Sequence, residues 1–278
     1  MSNLVCMAVS KIKPEAKLEY NKDLGPEKTF KLYEAMSEIV QHSCETFIQE
    51  DFEFVIFDDE VDNYQQIFHK NFTNVYEIWQ ENGPNNILFL DTDTLVVSPV
   101  SIFGKLQHFQ MFNYTAPKVL SGPDANNKYG LQHPHYFNAG VRYYPSSMSE
   151  KVWKLGWKYA KDWDYDIWGT EQIIFNEMMY SQDPDYMVWH KPDLNFQVMN
   201  VPYDDIDNVR LQKYLSNWNG IDMNDAKIMH LHGTRGAGNT VLLQWELWRR
   251  ITGEEYEFSG LEILKDKDSG MPKGITFN

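Results

Sequence analysis

The stretch Asn86-Ile87-Leu88-Phe89-Leu90-Asp91-Thr92-Asp93-Thr94 decides how this chain folds. Ile87 to Leu90 are apolar without alternation, the pattern of a strand buried on both faces of a parallel sheet. The run ends on two carboxylates, Asp91 and Asp93, and Leu95-Val96-Val97-Ser98-Pro99 follows. In open α/β sheets ligands collect outside the carboxyl ends of the strands, so a site is expected here. Two carboxylates this close repel, and one tends to stay protonated unless a cation sits between them. A hard divalent ion is the usual answer. The plainer alternative is a capped turn, with Thr92 and Thr94 adding local hydrogen bonds.

Upstream, Leu4 to Val9 reads as a short strand ending at Ser10. Pro26 and Glu27 mark a helix start. Phe30, Tyr33, Met36, Ile39, Val40 and Phe47 then recur at helical spacing. Phe52 to Phe57 reads as a second buried strand, ending on Asp58 and Asp59, and a helix around Asn74 to Glu81 stops at Gly83-Pro84. Strand, helix, strand, helix, strand over residues 1–93 predicts a doubly wound nucleotide-binding half with right-handed crossovers.

Downstream, Phe109 to Ala116 is a candidate strand and Ser121 to Gln132 a Gly-, Asn- and Asp-rich mobile loop over the site. Phe137 to Tyr144 reads as a strand interrupted by Gly140, where a bulge or a close ligand is expected. Ser147 or Ser149 caps one helix and Thr170 another, which runs to Tyr180. A late strand, Asp225 to His230, leads into His230-Leu231-His232-Gly233, and Val241 to Ile251 forms a closing helix. From Gly260 the chain is polar and reads as a loosely held tail.

The 278 residues suffice for one α/β domain with a full core. A net charge of −15 argues against nucleic acid and against an anionic membrane surface. An acidic protein that handles a phosphorylated ligand also needs local positive charge, which a bound divalent ion supplies. Cys6 lies in a strand and Cys44 in a helix, so both read as buried thiols. No basic segment precedes the first apolar run, and no run approaches the roughly 20 residues that span a bilayer. The chain therefore reads as soluble and cytoplasmic, with no transmembrane segment.

Asp91-Thr92-Asp93 after a buried strand resembles the Asp-x-Asp signature of GT-A-fold glycosyltransferases. Phe137-Asn138-Ala139-Gly140-Val141, Thr170-Glu171-Gln172 through Asn176, and His230 to Gly233 follow in order. Together the four blocks resemble glycosyltransferase family 8, the glycogenin and bacterial galactosyltransferase group. The resemblance implies an α/β fold of GT-A type, with a Rossmann-like, mostly parallel central sheet flanked by helices and a smaller mixed acceptor-side region. It also implies one catalytic domain over residues 1–255, divided at residue 93 into nucleotide and sugar halves, and a tail over residues 256–278.

The implied chemistry is transfer of a sugar from a nucleotide-diphosphate donor, UDP-linked, with retention, to a glycan, protein or small-molecule acceptor. Asp91, Asp93 and His230 would hold Mn²⁺ or Mg²⁺, with His232 the alternative histidine. Glu171, Gln172 and Asn138 would be the catalytic residues, Glu171 and Gln172 facing the reacting carbon or the acceptor and Asn138, with Ala139 and Gly140, lying along the donor sugar. Thr92, Gly233 and Arg235 would lie near the diphosphate. Ala8, Ser10 and Asp58, with Tyr20 as a stacking residue, would lie near the base. Glu171 stands where the family has Asp, and Gly236 where it has a phosphate-binding Lys. The family's basic residue upstream of the Asp-x-Asp strand has no clear match, and Arg235 or Lys70 is the substitute. Trp163 and Trp168 read as loop packing rather than a sugar platform.

Two other classes fit parts of the sequence. A strand ending Asp-x-Asp-x-Thr is similar to the first motif of haloacid-dehalogenase-type phosphatases. Asp91 would then be the nucleophile and Asp93 the acid/base, with Asp204, Asp205 and Lys191 completing the site. That motif usually opens a chain, whereas a whole strand-helix-strand unit precedes it here. The departures at Glu171 and Gly236 also fit a nucleotide-sugar-binding protein without activity. A nucleotidyltransferase would want a Gly-rich basic loop where Ser10 to Gly25 is Lys-bearing but not Gly-rich.

Overall fold

The computed structural model describes residues 2–13, 24–62, 64–81, 83–115, 136–162, 170–182, 191–199, 201–232 and 236–278. Its first half contains strands β1 (Asn3–Ala8), β2 (Lys11–Ile12), β3 (Glu53–Phe57), β4 (Glu60–Val61), β5 (Asn86–Leu90), β6 (Thr94–Val96), β7 (Gln110–Met111) and β8 (Tyr114–Thr115). The second half adds β9 (Tyr136–Phe137), β10 (Val141–Tyr144), β11 (Phe196–Gln197), β12 (Ile228–His230), β13 (Leu261–Lys265) and β14 (Pro272–Phe277). The helices are α1 (Gly25–Phe47), α2 (Tyr64–Gln80), α3 (Glu150–Asp162), α4 (Thr170–Tyr180), α5 (Val209–Asn219) and α6 (Ala237–Thr252).

The central sheet has the order β3-β1-β5-β10-β7. β1 runs parallel to both β3 and β5, and β10 runs antiparallel to β5 and β7, so the sheet is mostly parallel. β5 is buried at every residue, as its unbroken apolar run predicts. Its two faces feed two cores. Ile87 and Phe89 join Phe72, Trp153 and Phe175 beneath α2, α3 and α4. Leu88 and Leu90 join Val40, Val100 and Tyr143 on the α1 side. A third core lies between α1 and α6, around Trp245.

A smaller mixed sheet, β11-β12-β6, positions the site. After β5 the chain folds back at once: the Thr94 N–H and Oγ1 both donate to the Asp91 carbonyl, at 3.1 and 2.8 Å. It then enters β6, which pairs antiparallel with β12 and sets Thr94 opposite His230. The carboxylate turn and the late histidine, separated widely in sequence, therefore meet.

Four readings of the sequence are corrected. β3 is an edge strand rather than a buried one, with Ile56 exposed, because β1 covers only one side of it. α2 begins at Tyr64 rather than near Asn74. The segments 109–116 and 137–144 each divide between two sheets, the second breaking at Asn138 to Gly140. The polar stretch after Gly260 is the hairpin β13–β14, whose Leu261 and Ile263 are buried against the α1–α6 core. Alternate residues of β13 seat that hairpin, Leu261 and Ile263 inward and Glu262 and Leu264 outward. The loop 121–132, Tyr20, Trp163 and Trp168 lie outside the described residues.

Candidate active site

Asp91, Asp93 and His230 converge at the carboxyl end of β5, their candidate ligand atoms all within 4.8 Å of one another. Backbone hydrogen bonds fix this corner. The Asp91 N–H donates to the Gly140 carbonyl at 2.9 Å, and the Leu231 N–H donates to the Asp93 carbonyl at 2.7 Å. Gln244 of α6 pins the turn from beneath, its Nε2 donating to the Thr92 and Thr94 carbonyls at 2.9 and 2.8 Å.

The orientation of His230 follows from its neighbours. Its Nδ1 lies 2.9 Å from Asn138 Oδ1, which also accepts from the Gly140 N–H at 2.9 Å and from Asn195 Nδ2 at 3.1 Å. An oxygen held by two N–H donors faces Nδ1, so Nδ1 carries hydrogen and donates. Nε2, 3.1 Å from Asp93 Oδ1, then has either a proton to share with the carboxylate or a lone pair for a cation. A histidine anchored through one nitrogen, with the other beside two carboxylates, is the donor set a divalent metal requires. The residues fit a metal ion. His232 turns away, with Nε2 3.1 Å from Gln197 Oε1.

Gly140 is required by this packing. A Cβ there would lie 2.1 Å from His230 Cε1. The sequence predicts a bulge or a close ligand at Gly140, and the group packed there is the His230 ring.

The charges pull the two carboxyls of the motif apart. Burial pushes Asp91 up, and the Asp93 charge adds to this against the opposing effects of Arg142 and His230. Burial would also raise Asp93, but the charge and hydrogen bond of His230 carry it below the ordinary carboxylate range. Burial works against the His230 cation, yet Asp93 beside it raises its pKa. His232 is pushed down to about 3 by burial and by the His230 charge. Glu171, at the wall of the cleft, is raised by desolvation and by Asp91, against the pull of Arg142.

These groups border a cleft of about 450 Å³. Ala8, Asp91, Thr92, Asp93 and Glu171 line it, with Arg142 beside them, Tyr33 and Asn71 from α1 and α2, and Thr240 from α6. His230, Asn138, Ala139, Gly140 and Gln172 form the layer behind. There the Gln172 Oε1 accepts from the Ala139 N–H at 3.1 Å, and its buried Nε2 has no partner among the described residues. Ser10 and Asp58 are not part of the lining, and Asp58 pairs with Lys11 at 3.6 Å. Gly233 and Arg235 lie outside the described residues. Lys70, a candidate for the missing positive charge, is occupied by Asp59 at 3.1 Å and the Glu60 carbonyl at 2.7 Å. Asp204, Asp205 and Lys191, the partners a phosphatase would need, do not line the cleft.

Arg142 and Gln244 were missed in the sequence. Both carried a signal: a charge inside the apolar strand Val141-Arg142-Tyr143-Tyr144, and an amide inside the apolar run Val241-Leu242-Leu243-Gln244-Trp245. A polar group in such a place needs a reason.

No protein-family model matches the sequence, and no curated protein matches it closely. Many solved structures are similar in shape, and three of them are the following. A glycosyltransferase involved in glycosylation of the major capsid of PBCV-1 is 12% identical, with a TM-score of 0.51, covering 89% of this chain and 99% of its own. An active-site mutant of LgtC is 12% identical, with a TM-score of 0.50, covering 90% and 96%. LgtC galactosyltransferase in complex with donor and acceptor sugar analogues is 13% identical, with a TM-score of 0.44, covering 83% and 87%. At such identities the likeness of the first two is one of architecture. The chain has the GT-A fold of glycosyltransferases.

Proposed function

We propose that this protein is a metal-dependent glycosyltransferase that moves a sugar from a nucleotide-diphosphate donor, UDP-linked, to an acceptor with retention. The observation that carries the reading is the convergence of Asp91, Asp93 and His230 in a cleft at the carboxyl end of β5, on a fold shared with glycosyltransferases. Residues 1–93 serve as the nucleotide half, with the base near Ala8. Residues 94–255 serve the donor sugar and acceptor, and residues 256–278 are an appendage.

Asp91, Asp93 and His230 would hold Mn²⁺ or Mg²⁺. A histidine in the set favours Mn²⁺. Such an ion supplies Lewis-acid neutralisation of the diphosphate as it leaves. The chain's own residues do the rest. Asn138 keeps the His230 ring in the Nδ1–H form, so Nε2 faces the carboxylates. Gln244 holds the turn that aims Asp91 and Asp93. Glu171, which lines the same cleft, faces the sugar, where a carboxylate stabilises positive charge developing at the anomeric carbon. Gln172 fixes Ala139 behind it. The acceptor is a glycan, a protein or a small molecule.

The test is release of UDP from a panel of UDP-sugars with Mn²⁺, with and without added glycan acceptors. Metal-dependent release supports the proposal. Nucleotide binding without release from any donor would leave a binding protein, and neither binding nor release would end the UDP-sugar reading.

A further inference from the structure

The cation that the sequence lacks at its expected places is present elsewhere in the cleft. Arg142 is 6% exposed and lines the cleft beside Asp91 and Glu171. Its guanidinium lies 4.2 Å from the Phe89 ring centre and 4.4 Å from that of Phe175, clamped between them. Its Nε is buried without a partner among the described residues. The carboxylate atom it pairs with, Asp91 Oδ1, is 3.6 Å from Nη2, past hydrogen-bond length. Stripping water from a guanidinium while leaving its donors unused is costly, so a site that holds one this way is built to receive oxygen atoms.

The geometry points to Arg142 as the residue that positions the sugar of the donor, through hydroxyl groups shared with Asp91 and Glu171. This inference rests on the proposed function. Two placements support it. The sheet order β1-β5-β10 puts Ala8 and Arg142 on opposite sides of β5, so Arg142 lies away from the base end. The proposed function puts the diphosphate on the ion held by Asp91, Asp93 and His230, and of these three Asp91 is the one that pairs with Arg142, at 3.6 Å. The neighbours also select the chemistry. A hydroxyl accepts from a guanidinium and donates to a carboxylate at once, whereas a second anion there would meet Asp91 and Glu171. The donor sugar is therefore a neutral one rather than a uronic acid.

The experiment compares wild type, Arg142→Met and Arg142→Lys, all with Mn²⁺, by calorimetric titration of UDP and by kcat/KM for the best UDP-hexose. Met fills the slot between the rings, and Lys keeps the charge without the planar fork. Arg142→Met should hold UDP affinity within about threefold and lower donor kcat/KM about ten- to a hundredfold, with Lys between. Equal loss for UDP and UDP-hexose would make Arg142 a diphosphate ligand and overturn the assignment. No loss for either would make it a structural residue and overturn the assignment equally. If the Met variant does not fold, the Lys variant carries the same comparison. A wild type that binds neither ligand fails the parent reading, a result separable from these.

Discussion

Two charge clusters in this molecule, each built around one buried charged side chain, follow opposite plans. At the end of α6, Glu246 is fully buried and accepts from Arg249 at 3.0 and 2.8 Å and from Arg250 at 2.5 Å, while Arg250 also grips Asp207. Every charge there is answered within the chain, and the two arginines sit in the last helical turn, where cations are favoured. At the end of β5, Arg142 has two aromatic faces and a buried Nε with no partner among the described residues, and Asp91 and Glu171 are held above their ordinary range. The closed cluster is complete as folded. The open one has donors and acceptors that face a cavity, which is how a binding site differs from a structural ion pair.

Breaking the open cluster should cost function before stability, and breaking the closed one the reverse. The largest effect is expected from Asp93→Asn. Transfer should fall on the order of a thousandfold or more, since a metal contributes several kcal/mol to charge stabilisation. Its melting temperature should move by no more than about 4 °C. Full activity in this variant would refute the metal site. Glu171→Gln should lower turnover about a hundredfold with little change in UDP affinity, read by initial rates against calorimetry. Gly140→Ala drives a methyl into the His230 ring. It should weaken Mn²⁺-dependent UDP binding about tenfold and destabilise by about 1–3 kcal/mol in urea unfolding.

Glu246→Gln reverses the pattern. It should cost about 2–3 kcal/mol of stability, because two arginines lose the buried negative charge they share, with donor affinity unchanged. A Glu246 variant that lost UDP binding at full stability would erase the contrast. The smallest effect concerns the thiols. Burial pushes Cys6 and Cys44 far up. Both should stay inert to a thiol reagent in the native protein and react together on unfolding, as counted by absorbance.

Much of this contrast could be read from residues alone, and the part that could not has a physical cause. β5 announced itself because a strand buried on both faces has no reason to alternate. The meeting of Asp91, Asp93 and His230 was anticipated through spaced motifs, although their contact depends on β6 pairing with β12, which no local pattern encodes. β3 misled because an edge strand is as apolar as a central one when a core lies behind it. The final hairpin was missed because its alternation is short and interrupted by turn residues. Arg142 was passed over for the opposite reason. Within a strand, one charged residue reads as an outward position, and only the packing of Phe175 from α4 reveals that this one points inward.

The proposed function requires the carboxyl end of β5 to be a metal-assisted nucleotide-diphosphate site. Calorimetric titration of UDP into the protein with Mn²⁺, repeated with the metal chelated, tests it most directly. Binding is expected with Mn²⁺, with a loss of at least about tenfold on chelation. Equal binding in both conditions would contradict the assigned roles of Asp91, Asp93 and His230, and no binding in either would contradict the site itself.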